Sequence, residues 1–259
     1  QALSVQDLKG ELAELAANDS ILHIDLQGRD PDDAFSGVPY TKGQLFLMFL
    51  EQKFGRDKFD PFVRQYFDDH AFQSLDTESF VKYLTANLLQ KYPGIVSLDE
   101  AKNWIYQPGL PATAPNPQSD AFNQVQQHAN NWLSGNSDLS SLPSDSWTVH
   151  EWLYFINNLP LSITPEQLAE LDGSFNLTRS TNSEIAHAWY LLALKTSYQE
   201  IAAPLEQYLI NIGRRKLIIP LYKQLATTPE GLAFARAVYA KARPGYHPLA
   251  QGTVDSILK

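Results

Sequence analysis

The sequence predicts an all-α fold. Apolar residues recur at helical spacing along nearly the whole chain, and the apolar–polar alternation of a half-buried strand is scarce. Several of the periodic stretches also open with Ser or Thr followed three positions later by Glu or Gln, which is the capping box of a helix N-terminus. The 259 residues, 44% of them hydrophobic, exceed the length of one average domain, so we expect two domains.

The first part of the chain, residues 1–110, carries five predicted helices. They cover residues 5–15, 41–54, 58–66, 77–89 and 98–105. Ser4 and Ser97 are the expected caps of the first and the last, and Gly55 is expected to end the second. Only residues 21–25 are compatible with extended backbone. The glycines, prolines and acids between Gln27 and Tyr40 predict an irregular loop.

The pattern changes at residues 107–117, where four prolines and Gly109 interrupt the periodicity. We place the domain boundary here, giving domains 1–110 and 111–259. In the second domain, capping signals at Thr148, Thr164 and Thr228 open helices again, and the spacing predicts six or so helices with short loops. Both a bundle and a solenoid of helix pairs fit this pattern.

Composition excludes several classes of function. The chain holds 20 basic and 29 acidic residues, a net charge of −9, so we expect no nucleic-acid partner. No apolar run approaches the ~20 residues that a membrane span needs, so we expect no membrane partner either. Because the sequence contains no cysteine, it has no disulfide, no thiolate zinc ligand and no cysteine nucleophile.

A search for a self-sufficient catalytic centre is negative. The six histidines are scattered singly. His150-Glu151 begins like a zinc-peptidase helix, but Tyr154 stands where the second histidine ligand belongs. We therefore interpret Glu151 as the partner of Thr148 in a capping box and His150 as a surface residue. No nucleophile elbow, phosphate loop or dinucleotide motif occurs.

Two charged clusters remain open to two interpretations each. The acids at positions 30, 32 and 33 precede a predicted helix and suit either a cation site or a solvated loop. The run Arg214-Arg215-Lys216 lies beside apolar residues 217–219 and suits either a carboxylate-binding site or a solvated helix face.

Several longer stretches of the sequence form recognisable motifs. They are D-D-A-F-S-G-V-P-Y-T-K-G at 32–43, N-W-I-Y-Q-P-G-L-P at 103–111, N-S-E-I at 182–185, and G-R-R-K at 213–216 followed by P-L-Y-K at 220–223. These stretches resemble the gluzincin zinc aminopeptidases of the aminopeptidase N/leukotriene A4 hydrolase family. Their order and spacing extend the resemblance over nearly the whole chain.

In that family, the zinc ligands lie in an H-E-x-x-H motif and on the following helix, both upstream of P-Y-x-K-G, and this sequence contains neither. The resemblance therefore implies a C-terminal part of such an enzyme. Residues 1–110 would be the helical remainder of a thermolysin-like catalytic domain, and residues 111–259 an armadillo- or HEAT-like α-helical domain. Gln1 at the start, with Met48 as the single methionine, also indicates a piece of a longer polypeptide.

The same resemblance implies a cytoplasmic enzyme that removes N-terminal residues from short peptides. Its zinc would be bound in the full-length protein and not by this chain. The chain alone would therefore be inactive, and its partner would be the missing N-terminal part of the same polypeptide.

Four residues receive roles by motif. Tyr40 matches the tyrosine whose phenol stabilises the oxyanion, which is the catalytic role. Arg214 and Lys216 match the basic pair that binds the substrate carboxylate, and Asp32 matches an acid that lines the inner part of the substrate pocket.

Two positions depart from the family pattern. Thr41 stands where the family usually has glutamate, and Phe35 replaces a tyrosine of the leukotriene-processing enzyme. The second departure removes a hydrogen-bonding group near the pocket, which argues against epoxide chemistry and leaves peptide hydrolysis unaffected.

An alternative from another class is a non-catalytic α-helical scaffold. Such a protein would bind protein partners through a concave helical surface, and it would need no metal ligands.

Overall fold

The structure is a computed structural model that describes residues 1–29, 31 and 36–259. In these ranges the regular structure is helical and no strand is present, which confirms the all-α prediction. Residues 21–25, the stretch compatible with extended backbone, form bends and coil. The chain divides into two compact units, Gln1–Gln118 (unit 1) and Ser119–Lys259 (unit 2). Every helix in the described ranges is too short or too polar to span a bilayer.

The described residues of unit 1 contain five α-helices. They are α1 (Ala2–Glu14), α2 (Val38–Phe54), α3 (Arg56–Asp69), α4 (Thr77–Leu84), which a π-helical turn at Thr85–Leu89 continues, and α5 (Leu98–Tyr106). Helix α2 starts three residues before the predicted position 41, because Pro39 in its first turn is compatible with a helix N-terminus.

Local sequence signals explain the ends of these helices. Asp76 caps α4 by accepting a hydrogen bond from the backbone N–H of Ser79, and Ser97 caps α5 by accepting one from Glu100. Gly55 ends α2 in the left-handed region at φ 73°, where a side chain would be strained. These short-range patterns set the boundaries at Gly55, Asp76 and Ser97. The predicted cap at Ser4 is wrong, because α1 begins at Ala2 and Ser4 lies inside it.

The core of unit 1 forms around Trp104 of α5. Its indole is fully buried and lies 5.6 Å, between ring centroids, from both Phe46 and Phe49 of α2. Leu8 of α1 is buried in the same cluster. Truncating a buried aromatic side chain of this size costs about 3–5 kcal/mol. Packing against α5 and α1 thus holds the middle of α2, the helix that carries Tyr40.

Unit 2 contains eight α-helices. They are α6 (Asp120–Leu133), α7 (Val149–Asn157), α8 (Pro165–Phe175), α9 (Ser183–Lys195), α10 (Ala202–Asn211), α11 (Arg215–Leu225), α12 (Pro229–Ala242) and α13 (Pro248–Ile257). The spacing predicted six or so. The difference arises because turns as short as residues 212–214 separate consecutive helices.

The predicted caps of unit 2 are present. Thr164 and Gln167 form a capping box, Thr228 accepts a hydrogen bond from the N–H of Gly231, and Glu151 accepts hydrogen bonds from both the backbone N–H and the hydroxyl of Thr148. The capping role of Glu151 is therefore confirmed.

The helices of unit 2 pack in alternation. Helix α9 contacts both α7 and α11, α11 contacts α13, and α10 contacts α12. Contacts between every second helix are typical of helix pairs stacked in two layers, so the solenoid describes this unit better than a bundle. Helix α9 lies in the middle, with Trp189 fully buried and hydrogen-bonded through Nε1 to Thr178. This arrangement places the N-termini of α9 and α11 beside each other.

Candidate functional site

Tyr40 lies in the first turn of α2 with 63% of its surface exposed. Gln44 and Leu47, which follow at helical spacing, are also exposed, so they share an outward-facing stripe of α2 with Tyr40. The N-terminus of a helix carries a partial positive charge from its unpaired N–H groups. A phenol at this position is a hydrogen-bond donor beside that end of the helix.

A carboxylate from α1 holds the start of α2. The backbone N–H of Gly37, the residue before the helix, lies 3.0 Å from both carboxylate oxygens of Glu11. The hydroxyl of Ser36 accepts a hydrogen bond from the N–H of Val38 at 3.2 Å. These contacts satisfy N–H groups that have no partner inside the helix, and the negative charge of Glu11 is favourable at the positive end of α2.

An ammonium holds the opposite face of the same turn. Lys42 is fully buried, and its Nζ donates hydrogen bonds to the carbonyl oxygens of Ser20 at 2.9 Å and Gln107 at 2.7 Å. Burial lowers the pKa of Lys42 to about 8, because the charged form loses its water. At neutral pH the side chain is therefore an ammonium inside the hydrophobic core.

Ser20 links this ammonium to the segment that follows α5. Its hydroxyl donates to the carbonyl of Ala17 at 2.6 Å and accepts from the backbone N–H of Gly109 at 2.9 Å. We call Ser20, Lys42, Gln107 and Gly109 the Lys42 junction. It joins the first turn of α2 to the segment at Ser20 and to the segment that follows α5, which are far apart in sequence.

The basic run of unit 2 divides into a pair and a third residue. Nη1 of Arg214 lies 2.8 Å from Oε1 of Glu184, and Nζ of Lys216 lies 3.8 Å from Oε2 of the same carboxylate. Arg215 instead donates to the hydroxyl of Thr253 on α13. The structure therefore brings together the two residues that the resemblance selected and turns the residue between them away.

The surroundings of this pair favour an anion. Arg214 caps α11, Arg215 and Lys216 begin it, and its first turn contains no acid. Cations at the positive end of a helix dipole are unfavourable, and here two of them share the single carboxylate of Glu184. Arg214 is 64% exposed and Lys216 60%, so solvent screens the contact, and ion pairs of this kind contribute about 0–1 kcal/mol. The pair therefore has positive charge left for a further carboxylate.

The acids for which the sequence predicted a loop before α2 lie outside the described residues. This applies to Asp32, the residue predicted to line the substrate pocket, to Asp30 and Asp33, and to Phe35. The role of Asp32 stays a prediction.

The described residues do not offer a zinc site. In the part of the chain that the structure describes, no group of three or more His, Cys, Asp or Glu side chains is arranged to hold a metal ion. The residues that the resemblance selected and the structure describes are a phenol in unit 1 and a basic pair in unit 2.

Sequence reasoning missed three residues at these two places: Glu11, Lys42 and Glu184. Lys42 and Glu184 both lie inside the motifs that carry the resemblance, but no role was assigned to them. A signal for Lys42 was available, because it precedes Leu45 and Phe49 at helical spacing and thus lies on the apolar face of α2.

Two family models match the chain. Residues 7–100 match the peptidase family M1 domain, and residues 147–258 match the C-terminal domain of leukotriene A4 hydrolase. The chain belongs to the M1 aminopeptidase/leukotriene A4 hydrolase family. Tyr40 falls in the first matched region, and Arg214 and Lys216 fall in the second.

Curated relatives carry aminopeptidase and hydrolase names. Leucine aminopeptidase 2 of Ajellomyces capsulatus is 32% identical over 250 residues, and that of Neosartorya fischeri is 34% identical over 248. The leukotriene A-4 hydrolase homolog of Botryotinia fuckeliana is 30% identical over 245 residues. Each alignment covers 92% of this chain, which spans 37–39% of the length of these relatives.

Solved structures show the same fold. Yeast LTA4 hydrolase in complex with Bestatin superposes with a TM-score of 0.83 at 26% identity, over 99% of this chain and 45% of that one. The native yeast enzyme gives a TM-score of 0.75 at 27% identity with the same coverage. The M1 family is zinc-dependent, so the metal belongs to the family and not to a ligand set found among the described residues.

We predict that Lys42 makes the free energy of unfolding of the chain vary with pH in the alkaline range. Its folded pKa of about 8 lies below the ordinary 10.5, so between these values the unfolded state binds more protons than the folded state. The free energy of unfolding of the wild type should therefore rise with pH relative to that of Lys42→Met, by about 1–3 kcal/mol. Urea unfolding of both proteins at pH 7, 9 and 10.5 measures this difference.

Lys82→Met is the matched control for the loss of a surface charge, because Lys82 is exposed on α4. A difference between wild type and Lys42→Met that stays constant or falls over this pH range would contradict the prediction.

Proposed function

We propose that this chain supplies the oxyanion-stabilising phenol and the carboxylate-binding cations of a cytoplasmic zinc aminopeptidase that acts on short peptides. The observation that carries the proposal is the exposed phenol of Tyr40 in the first turn of a helix that is anchored on both sides. The aminopeptidase names of the curated relatives support it.

Tyr40 would act when water adds to the carbonyl carbon of the scissile peptide bond. The carbonyl oxygen then becomes an oxyanion, and a phenol is a neutral donor whose O–H hydrogen-bonds to it. Because this hydrogen bond is stronger to the oxyanion than to the uncharged carbonyl, it lowers the barrier more than it strengthens substrate binding.

Arg214 and Lys216 would bind the carboxylate at the C-terminal end of the peptide. A guanidinium and an ammonium together offer charge-assisted hydrogen bonds to such a group, and Glu184 compensates for only part of their charge. Fixing the far end of the substrate favours peptides of short length. We keep Asp32 as the acid of the inner pocket in this proposal.

The zinc and its ligands would belong to the rest of the polypeptide, outside these 259 residues. The family relationship favours this arrangement over the non-catalytic scaffold. The scaffold would be supported if the full-length protein, with an intact zinc motif, failed to cleave peptides.

We predict that Tyr40→Phe in the full-length enzyme lowers kcat about 10²–10³-fold with little change in KM, since the loss of one oxyanion donor has this effect. Turnover of an aminoacyl p-nitroanilide measures both constants. Tyr154→Phe is the matched control, because the ring of Tyr154 stacks on Phe122 in unit 2 and its loss of a hydroxyl should leave kcat unchanged. Wild-type turnover by Tyr40→Phe would remove Tyr40 from the mechanism.

We predict that Arg214→Gln reduces kcat/KM for a tripeptide with a free C-terminal carboxylate roughly 10- to 100-fold, because it removes a hydrogen bond between charged groups. The corresponding tripeptide amide lacks the charge and should be hydrolysed at the wild-type rate. Arg215→Gln in the same run is the matched control, since Arg215 is directed to Thr253. Equal losses for the acid and the amide would show that Arg214 does not read the carboxylate.

We predict that the 259-residue chain alone does not hydrolyse aminoacyl p-nitroanilides, even with added zinc, because its described residues hold no ligand set for the metal. The assay is run with and without a chelator. Turnover that the chelator abolishes would disprove the fragment interpretation.

A further inference from the structure

The first turn of α2 is held from two opposite directions. Tyr40 and Lys42 are two residues apart, so their side chains leave the helix about 200° apart around its axis. One is 63% exposed and the other is fully buried. Any rotation of α2 that moves the phenol must therefore move the ammonium of Lys42 away from the carbonyls of Ser20 and Gln107.

Glu11 constrains the same turn along the helix axis. Its carboxylate accepts a hydrogen bond from the backbone N–H of Gly37, the residue before α2. Displacement of α2 away from this end would break that contact. The two anchoring side chains, Glu11 and Lys42, have opposite charge. They hold positions 37 and 42, which lie on either side of Tyr40 in the sequence, and the phenol of Tyr40 is the group we propose as catalytic.

Gly37 shows that this approach of Glu11 is built into the fold. The backbone of Gly37 has φ −72°, an ordinary helical value, so its conformation does not require glycine. A Cβ at this position would lie 2.6 Å from Oε2 of Glu11. A side chain at position 37 would therefore force this carboxylate to shift from its present position.

Stability alone does not explain the buried ammonium. Lys42 lies on the apolar face of α2 with Leu45 and Phe49, where an apolar side chain would avoid the cost of removing a charge from water. A group that is costly to bury and makes two directed hydrogen bonds is suited to fixing a position.

We propose that Glu11 and Lys42 are positioning residues that hold the first turn of α2 and thereby set the location of the Tyr40 phenol. This inference rests on the proposed function of Tyr40. Neither residue touches the substrate in this proposal.

A double-mutant cycle in the full-length enzyme tests it. Lys42→Met and Glu11→Ala are each made in the wild type and in Tyr40→Phe, and turnover of an aminoacyl p-nitroanilide is measured. In the wild-type background each should lower kcat roughly 10- to 100-fold with KM nearly unchanged, as expected for a displaced catalytic group. In Tyr40→Phe the further loss should be less than about threefold, because the group they position is gone. Equal losses in both backgrounds would overturn the inference.

A second cycle uses Gly37 and keeps the test valid if Lys42→Met does not fold. Gly37→Ala should lower kcat when Glu11 is present, because the new methyl group displaces its carboxylate, and should have no effect in Glu11→Ala. Gly252→Ala is the matched control, because Gly252 lies exposed on α13 with nothing within 4 Å of an added Cβ, and its kcat should equal that of the wild type. An effect of Gly37→Ala that does not depend on Glu11 would overturn the role of Glu11.

The two proposals fail in different ways. If Tyr40→Phe leaves kcat unchanged, the proposed function of Tyr40 is wrong and the positioning role is wrong with it. If Tyr40→Phe lowers kcat but the cycles are additive, only the positioning role is wrong.

Discussion

The buried ammonium of Lys42 is the constraint around which unit 1 is organised. It joins α2 to the carbonyl of Ser20 before the helix and to that of Gln107 after α5, while Ser20 also binds the backbone of Gly109. A charge in this environment is stable only while its hydrogen-bond acceptors stay in place. The segments that supply them are thereby held against α2, and the hydrophobic contacts of Trp104 pack the remainder of the helix.

Unit 2 also contains charged side chains at a position that costs free energy. Arg214 and Lys216 stand at the positive end of α11, and the carboxylate of Glu184 at the start of α9 compensates for them only in part. In both units, the charges that cost free energy lie at or beside the residues to which the family resemblance assigns a role. Natural proteins accept such local costs mainly where function requires a particular group.

The two family matches separate the residues to which the resemblance assigns a role into two regions of the chain. The region that matches the M1 domain contains the anchored first turn of α2, and the region that matches the leukotriene A4 hydrolase C-terminal domain contains the basic pair. The described residues of neither region provide a ligand set for zinc. The described residues that the family resemblance selected are a phenol in unit 1 and a basic pair in unit 2.

The sequence by itself determined that the fold is helical and where many of its helices end, although it missed the starts of α1 and α2. Periodicity and caps such as Thr148, Thr164 and Ser97 depend on contacts within one or two turns, which a linear pattern displays directly. It also carried the motifs that selected Tyr40, Arg214 and Lys216, whose roles stay predictions. Only the tertiary structure paired Glu11 with Gly37, Lys42 with Ser20 and Gln107, and Arg214 with Glu184, partners separated by 26, 22, 65 and 30 residues. Such pairs form because packed helices bring distant segments together, and no local spacing records which segments these are.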